Sequence, residues 1–288
     1  MPIRAAAVGI EIAAEPFTVT ARQCLAYAAA LDETADVHLD DARPGGIAAP
    51  PAFVVSPEWP VSRDLRTRPE FGATDDERLR AVHAVQDSQF HAPIRPGDRL
   101  IARSRLVSVE AIKPGAQTVT KLTLETAAGA PVSTSYSTAI YRGVAVDGAD
   151  TVAEAPPDWP AAVQPDDWTE TAVPVARALP HVYSECANIW NPIHTERAVA
   201  LAAGLPDIIL HGTCTWALAA KEIVAQRLGG DPSRLTRLTG RFTGMVIPGT
   251  EIVVRHAAAG DVMQFEVIAA DGAHAISDGR ALVAGAAA

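Results

Sequence analysis

The chain has 288 residues, room for one large domain or two of ordinary size, and 48% hydrophobic residues, ample for a core in either arrangement. A formal net charge of −10 with scattered Lys and Arg excludes a nucleic-acid surface and a polybasic membrane anchor. The opening MPIRAAAVGIEIAAEPF is broken by Glu11 and Glu15, which disfavours a signal peptide, and no apolar run approaches a membrane span; the expected location is cytoplasmic.

In chain order, a helical segment around Tyr27 comes first, followed by AFVVSPEWPVSRDLRTRP, where Pro57 and Pro60 predict a helix that is shortened or bent. After the Pro96-Gly97 turn the pattern becomes strand-like, with Leu100, Ala102, Leu106 and Val109, then Val119, Leu122 and Leu124, then Val132 and Ile140. Residues 152–174 hold Pro156, Pro157, Pro160 and Pro165 among acidic side chains, a composition that suits a linker. A second helical segment leads to a long helix predicted over Gly212–Leu228, with Trp216, Ala220, Ile223 and Val224 on one face and Gly229-Gly230 ending it. Three more β-rich runs follow: Ile252–Val254, Val262–Ile268 and Ala275–Val283. Ala128-Gly129 and Asp271-Gly272 supply hairpin turns.

The chain repeats itself. Tyr27 to His38 has the spacing of Tyr183 to His194, with each pair 156 residues apart, and Gln89-Phe90 through Pro96-Gly97 matches Arg241-Phe242 through Pro248-Gly249 at an offset of 152. Nearly equal offsets of this length point to a duplicated domain rather than a solenoid. The expected organisation is a first domain at 1–150, a linker at 151–174 and a second domain at 175–288.

The most informative stretch is YSECANIWNPIHTERAVALAAGLPDIILHG, Tyr183 to Gly212. Asn191 and Pro192 predict a tight turn that presents His194, with a short helix from Thr195, and His211-Gly212 stands at the mouth of the long helix. Gly212 at a helix start offers unpaired backbone amides to an anion. The pattern resembles the MaoC-like, R-specific 2-enoyl-CoA hydratases, whose signature runs Asp-x-Asn-Pro-(Leu/Ile)-His, then His-Gly seventeen residues on. Asn191, Pro192, Ile193, His194, His211 and Gly212 match it, whereas Ile189 stands where those enzymes carry a catalytic Asp.

The resemblance implies an α+β double hotdog, two antiparallel sheets each wrapped around a central helix, with the first half degenerate and one active site in the second. It further implies an acyl thioester or related carbonyl substrate, on CoA or a carrier protein, with no cofactor. His194 would be acid or base, Gly212 the oxyanion donor, and Asn191 chiefly the residue that holds the turn; Tyr183, Asn188, Ile189, Trp190 and His211 would surround the substrate. Hotdog sheets pair edge to edge, which allows a homodimer. General acid or base groups contribute about 10² to 10⁴ in rate, so Ile189 is no neutral exchange. Glu185 could replace the carboxylate, Asn188 could position water, or the reaction could need only His194 and the oxyanion hole. A cyclase or isomerase on the same scaffold, and a non-catalytic acyl-binding subunit, are the rival readings.

Elsewhere, Glu33 and His38 repeat the five-residue Asp-to-His spacing, but Val55-Ser56 stands where His-Gly would be. Arg234, Arg237 and Arg241 could meet the phosphates of a carrier arm. Cys24, Cys186 and Cys214 lack metal or disulfide spacing and read as reduced thiols; no metal site is expected.

Overall fold

The computed structural model describes residues 2–161 and 167–284. Its first half comprises helices α1 (Ala21–Ala30) and α2 (Val55–Arg66) and strands β1 (Ala81–Phe90), β2 (Arg99–Ile112), β3 (Gly115–Thr126) and β4 (Pro131–Arg142). The second half comprises β5 (Thr169–Val175), helices α3 (Leu179–Ala187), α4 (Arg197–Ala202) and α5 (Gly212–Arg227), then β6 (Leu235–Phe242), β7 (Thr250–Ala259), β8 (Val262–Ile268) and β9 (His274–Val283). Thr20 starts α1 with a reciprocal capping box to Gln23.

These nine strands lie in one antiparallel sheet in the order β5-β7-β8-β9-β6-β1-β4-β3-β2, and three short strands, Glu11–Ala13, Phe17–Thr18 and Thr151–Val152, add to β2. The halves join where β6 pairs with β1, from Arg237 opposite Gln89 to Arg241 opposite Val85. Each half curls its strands over one helix, so the architecture is the expected double hotdog. Helix α5 is buried from Cys214 through Ala220 and again at Ile223 and Val224, which is why its sequence is apolar nearly all round. Its first-half counterpart α2 has 12 residues against 16, with Pro60 inside it, as the two prolines predict. The pseudo-two-fold relation shows in one contact: Tyr27 and Tyr183, both fully buried, bring their hydroxyls to 3.2 Å.

Two expectations need correction. The segment 151–174 is not a free linker, because Thr151–Val152 pairs with Ser108 and Val109, and β5 pairs along β7. Alternating Thr169, Thr171, Val173 and Val175 suit a strand, and Pro174 is tolerated on a strand at the sheet's edge. The predicted helix from Thr195 starts at Arg197 instead, since the turn at Pro192–His194 is a 3-10 helix and Thr195 ends it.

The intervening chain is strapped to the outer face of the sheet. Arg237 makes a bidentate pair with Asp87, at 2.8 and 2.7 Å, and donates to the carbonyls of Asp158 and Pro157. Arg241 pairs with Asp278 and sits over Trp159, and Arg234 donates to the Leu228 carbonyl. Arg237 and Arg241 alternate with the inward-facing Leu238, Gly240 and Phe242, so these arginines turn away from the motif. Cys24 and Cys214 are buried free thiols and Cys186 is half-buried. No helix among the described residues is long and apolar enough to cross a membrane.

Candidate active site

Helix α3 ends at Asn188 in the left-handed conformation, φ 54°, which asparagine tolerates better than most residues. The chain then reverses. The Ile189 amide donates back to the Ser184 carbonyl at 3.0 Å, and the Ile189 side chain is buried in the main core. The Asn191 side chain accepts from the Ile193 amide, Pro192 fixes the next turn, and the His194 amide donates to the Asn191 carbonyl. Asn191 is thus a turn-holding residue in this geometry.

That turn delivers His194 to the mouth of α5. Its Nδ1 lies 2.8 Å from the Ile209 carbonyl. A carbonyl only accepts, so the proton is on Nδ1 and Nε2 keeps its lone pair. The His211 ring stacks on His194 with centroids 3.8 Å apart, and Ser184 Oγ lies 3.1 Å from His211 Nε2. Burial pushes His194 down to about 4, opposed by the Ile209 carbonyl. Burial, then the charge His194 would carry, pushes His211 down to about 2. Both rings are neutral at pH 7, which removes the repulsion that would otherwise part them.

Helix α5 begins at Gly212. The His211 carbonyl accepts from the Cys214 and Thr215 amides, while no described group accepts from the amides of Gly212 or Thr213, both of which are partly exposed. A Cβ at Gly212 would come within 3.1 Å of the Phe242 ring, so glycine lets strand β6 close over the helix start. Phe242 in turn packs on His83, with centroids 4.7 Å apart. A cleft of about 170 Å³ lies between the motif turn, at Asn191 and Ile193, and the first half, at Trp59, Arg66 and Tyr141. A larger cavity, about 430 Å³, lies on the outer sheet face under the strapped segment and contains no motif residue.

The structure thus brings together Asn191, His194, His211 and Gly212, with Tyr183 behind His211 at 5.1 Å between rings. Tyr183 is fully enclosed, Trp190 is 52% exposed and Asn188 is exposed, and no described hydrogen bond or ring contact joins Asn188 or Trp190 to the histidine pair. Glu185 is exposed on α3, so neither it nor Asn188 takes the place of the missing carboxylate. In the first half His38 Nδ1 lies 2.8 Å from the Ala48 carbonyl, just as His194 meets Ile209, and Glu33 lies 4.0 Å from its Nε2. Burial pushes Glu33 up to about 7. However, α2 continues directly from a 3-10 turn at Pro51–Val54, so no open helix start faces this pair. Ser184, Phe242 and His83 were not singled out in the sequence; the one signal available was the repeat that matches Phe242 to Phe90. Among the described residues, no three His, Cys, Asp or Glu side chains gather as a metal would require.

Residues 165–275 match the family described as the MaoC-like domain, and residues 6–135 match the FAS1-like dehydratase domain region. The chain thus carries a MaoC-like domain in its second half and a FAS1-like dehydratase region in its first. Among its relatives, enoyl-CoA hydratase ChsH3 of Mycobacterium tuberculosis is 27% identical over 192 residues, 64% of this chain and 63% of that protein. The 3-hydroxyacyl-thioester dehydratase Y of the same organism is 28% identical over 202 residues, 67% of this chain and 68% of its own length. The fold matches the crystal structure of a MaoC-like dehydratase from Phytophthora capsici with a TM-score of 0.84 at 21% identity, covering 97% of this chain and 96% of that one.

Proposed function

We propose that this chain is a hydro-lyase that adds water across, or removes it from, the α,β double bond of an acyl thioester. The observation that carries the reading is His194, its Nδ1 anchored on Ile209 and its Nε2 free, beside the open amides of Gly212 and Thr213. The relatives' names, an enoyl-CoA hydratase and a 3-hydroxyacyl-thioester dehydratase, agree in reaction and substrate class. Residues 175–288 carry the site and residues 1–150 the degenerate half, in a cytoplasmic protein able to form a homodimer.

With Ile189 buried, one base serves both proton transfers. His194 Nε2 takes a proton from water as its oxygen bonds to Cβ. The π electrons move to the thioester oxygen, where the helix-start amides hold the charge. His194 then gives the same proton to Cα, and the carbonyl re-forms. Protonating His194 in its site costs about 3 kcal/mol more than in water. The enolate formed in the same step offsets part of that cost.

The test is turnover of crotonyl-CoA and longer 2-enoyl-CoAs, followed by loss of conjugated-thioester absorbance, with His194→Ala beside the native protein. Activity should fall by at least about 10² in the variant. Native rates in the variant overturn the assignment. The apolar Ile189 also favours a second reading, an isomerase that moves the proton without adding water. A product of unchanged mass would identify it.

A further inference from the structure

We infer that the cleft beside the motif turn is an anion subsite, in which Arg66, flanked by Arg63 and Arg78 and backed by the Tyr141 hydroxyl, holds a negatively charged group of the substrate. This rests on the hydro-lyase reading for its substrate. The site itself rests on four observations.

The cleft is lined by three arginines and no carboxylate, in a chain whose net charge is −10. Local charge here opposes the charge of the whole, and a concave site of one sign concentrates ligands of the other. The flanking arginines have partners of small worth. Arg63 pairs with the adjacent Asp64, half exposed, and Arg78 with Asp75, 92% exposed. Arg66 has no carboxylate within ion-pair distance among the described residues. Its guanidinium sits 5.1 Å from the Trp59 ring centroid and its Nε donates to the Ser62 carbonyl, which orients the fork without neutralising it.

Tyr141 is the independent observation. It lines the same cleft, is fully buried, and its hydroxyl faces the Arg66 guanidinium, which can only donate, so the hydroxyl's own proton has no acceptor. A buried hydroxyl proton with no acceptor is unfavourable, and an oxygen anion held by Arg66 would accept it. Finally, the cleft borders the motif turn that carries His194. Asn191 and Ile193 form its wall, and on the other side the Arg66 charge reaches His83, whose ring packs on the Phe242 that covers Gly212.

The shared chemistry is an oxyanion gripped by a guanidinium fork, and two parts of a thioester substrate supply one: a phosphate of the carrier arm, or a carboxylate on the acyl group. The experiment compares native protein with Arg66→Ala and Arg66→Lys on four thioesters, crotonyl and glutaconyl, each on CoA and on N-acetylcysteamine, which lacks phosphate. If the anion is phosphate, the CoA-to-N-acetylcysteamine ratio of kcat/KM falls about ten- to a hundredfold in Arg66→Ala for both acyl groups. If it is carboxylate, the glutaconyl-to-crotonyl ratio falls by that factor on both carriers. Arg66→Lys restores part of either ratio, since it keeps the charge and loses the fork. Both ratios unchanged in a variant with native melting temperature overturn the subsite. Should no thioester turn over, the hydro-lyase reading fails, and calorimetric titration with free CoA and with glutarate decides the subsite. Binding lost in Arg66→Ala sustains it, and no binding to the native protein overturns it.

Discussion

Substituting Gly212 by alanine tests the oxyanion assignment through one methyl group. A Cβ there would lie 3.1, 3.2 and 3.3 Å from three carbons of the Phe242 ring, each closer than ordinary van der Waals contact. The ring must yield by a few tenths of an ångström, but it is backed by His83 with centroids 4.7 Å apart. Overpacking of this kind costs about 1–3 kcal/mol, and alanine's better helix propensity returns up to about 1 kcal/mol. The net loss of about 0–3 kcal/mol should lower Tm by no more than about 10 °C. The expected kinetic effect is far larger. Relieving the clash shifts the helix start, and losing one oxyanion donor costs about 10² to 10³ in kcat. Differential scanning calorimetry and crotonyl-CoA turnover measure the two effects on the same sample. Adding Phe242→Leu to Gly212→Ala makes room for the methyl and should recover part of the rate. A Gly212→Ala variant with a lowered Tm and a native kcat would refute the donor role.

The pH dependence follows from the buried histidines. His194 and His83 are pushed down to about 4 and His211 to about 2, all below the usual histidine value, so the unfolded chain takes up protons before the folded one does. Their contribution to stability is therefore complete above about 6.5 and declines as pH falls from there through 4, and Tm measured across that window should fall with it. Hydration needs the free Nε2 of His194, so kcat/KM should stay level from pH 8 to near 5 and drop with an apparent pKa of about 4. An acid limb near 6.5 would remove His194 from its buried setting. At the seam, Arg237→Ala strands the buried Asp87 carboxylate and frees two carbonyls. Urea denaturation should show a loss of about 3–5 kcal/mol, largely recovered when Asp87 is also made apolar.

Much of the site was legible because its signals are local. Asn191-Pro192 builds its own turn, so His194 could be placed from its immediate neighbours, and Gly212 announces a helix start by its position before an apolar run. The misreading of 151–174 has an equally physical cause. Prolines at both ends of the segment look like a linker, but a strand at the edge of a sheet accepts Pro174, and Arg237 far along the chain holds the carbonyls of Pro157 and Asp158. Ile189 also needed the structure. Its sequence position announced a missing carboxylate, but only the packing showed that the place is filled by core and that neither Glu185 nor Asn188 reaches it.

Taken alone, the sequence determined the duplication, through offsets of 156 and 152, the hairpin turns, the helix over Gly212 and the turn that carries His194. Each depends on backbone preferences and hydrophobic period within a dozen residues, and those act before any distant contact forms. Tertiary structure alone decided which distant groups meet: Phe242 over Gly212, Ser184 on His211, Tyr27 on Tyr183, and Arg66 across the cleft from Asn191. Those meetings are set by strand register and by the packing of one half on the other, which depend on the whole core closing at once and leave no mark in the order of neighbouring residues.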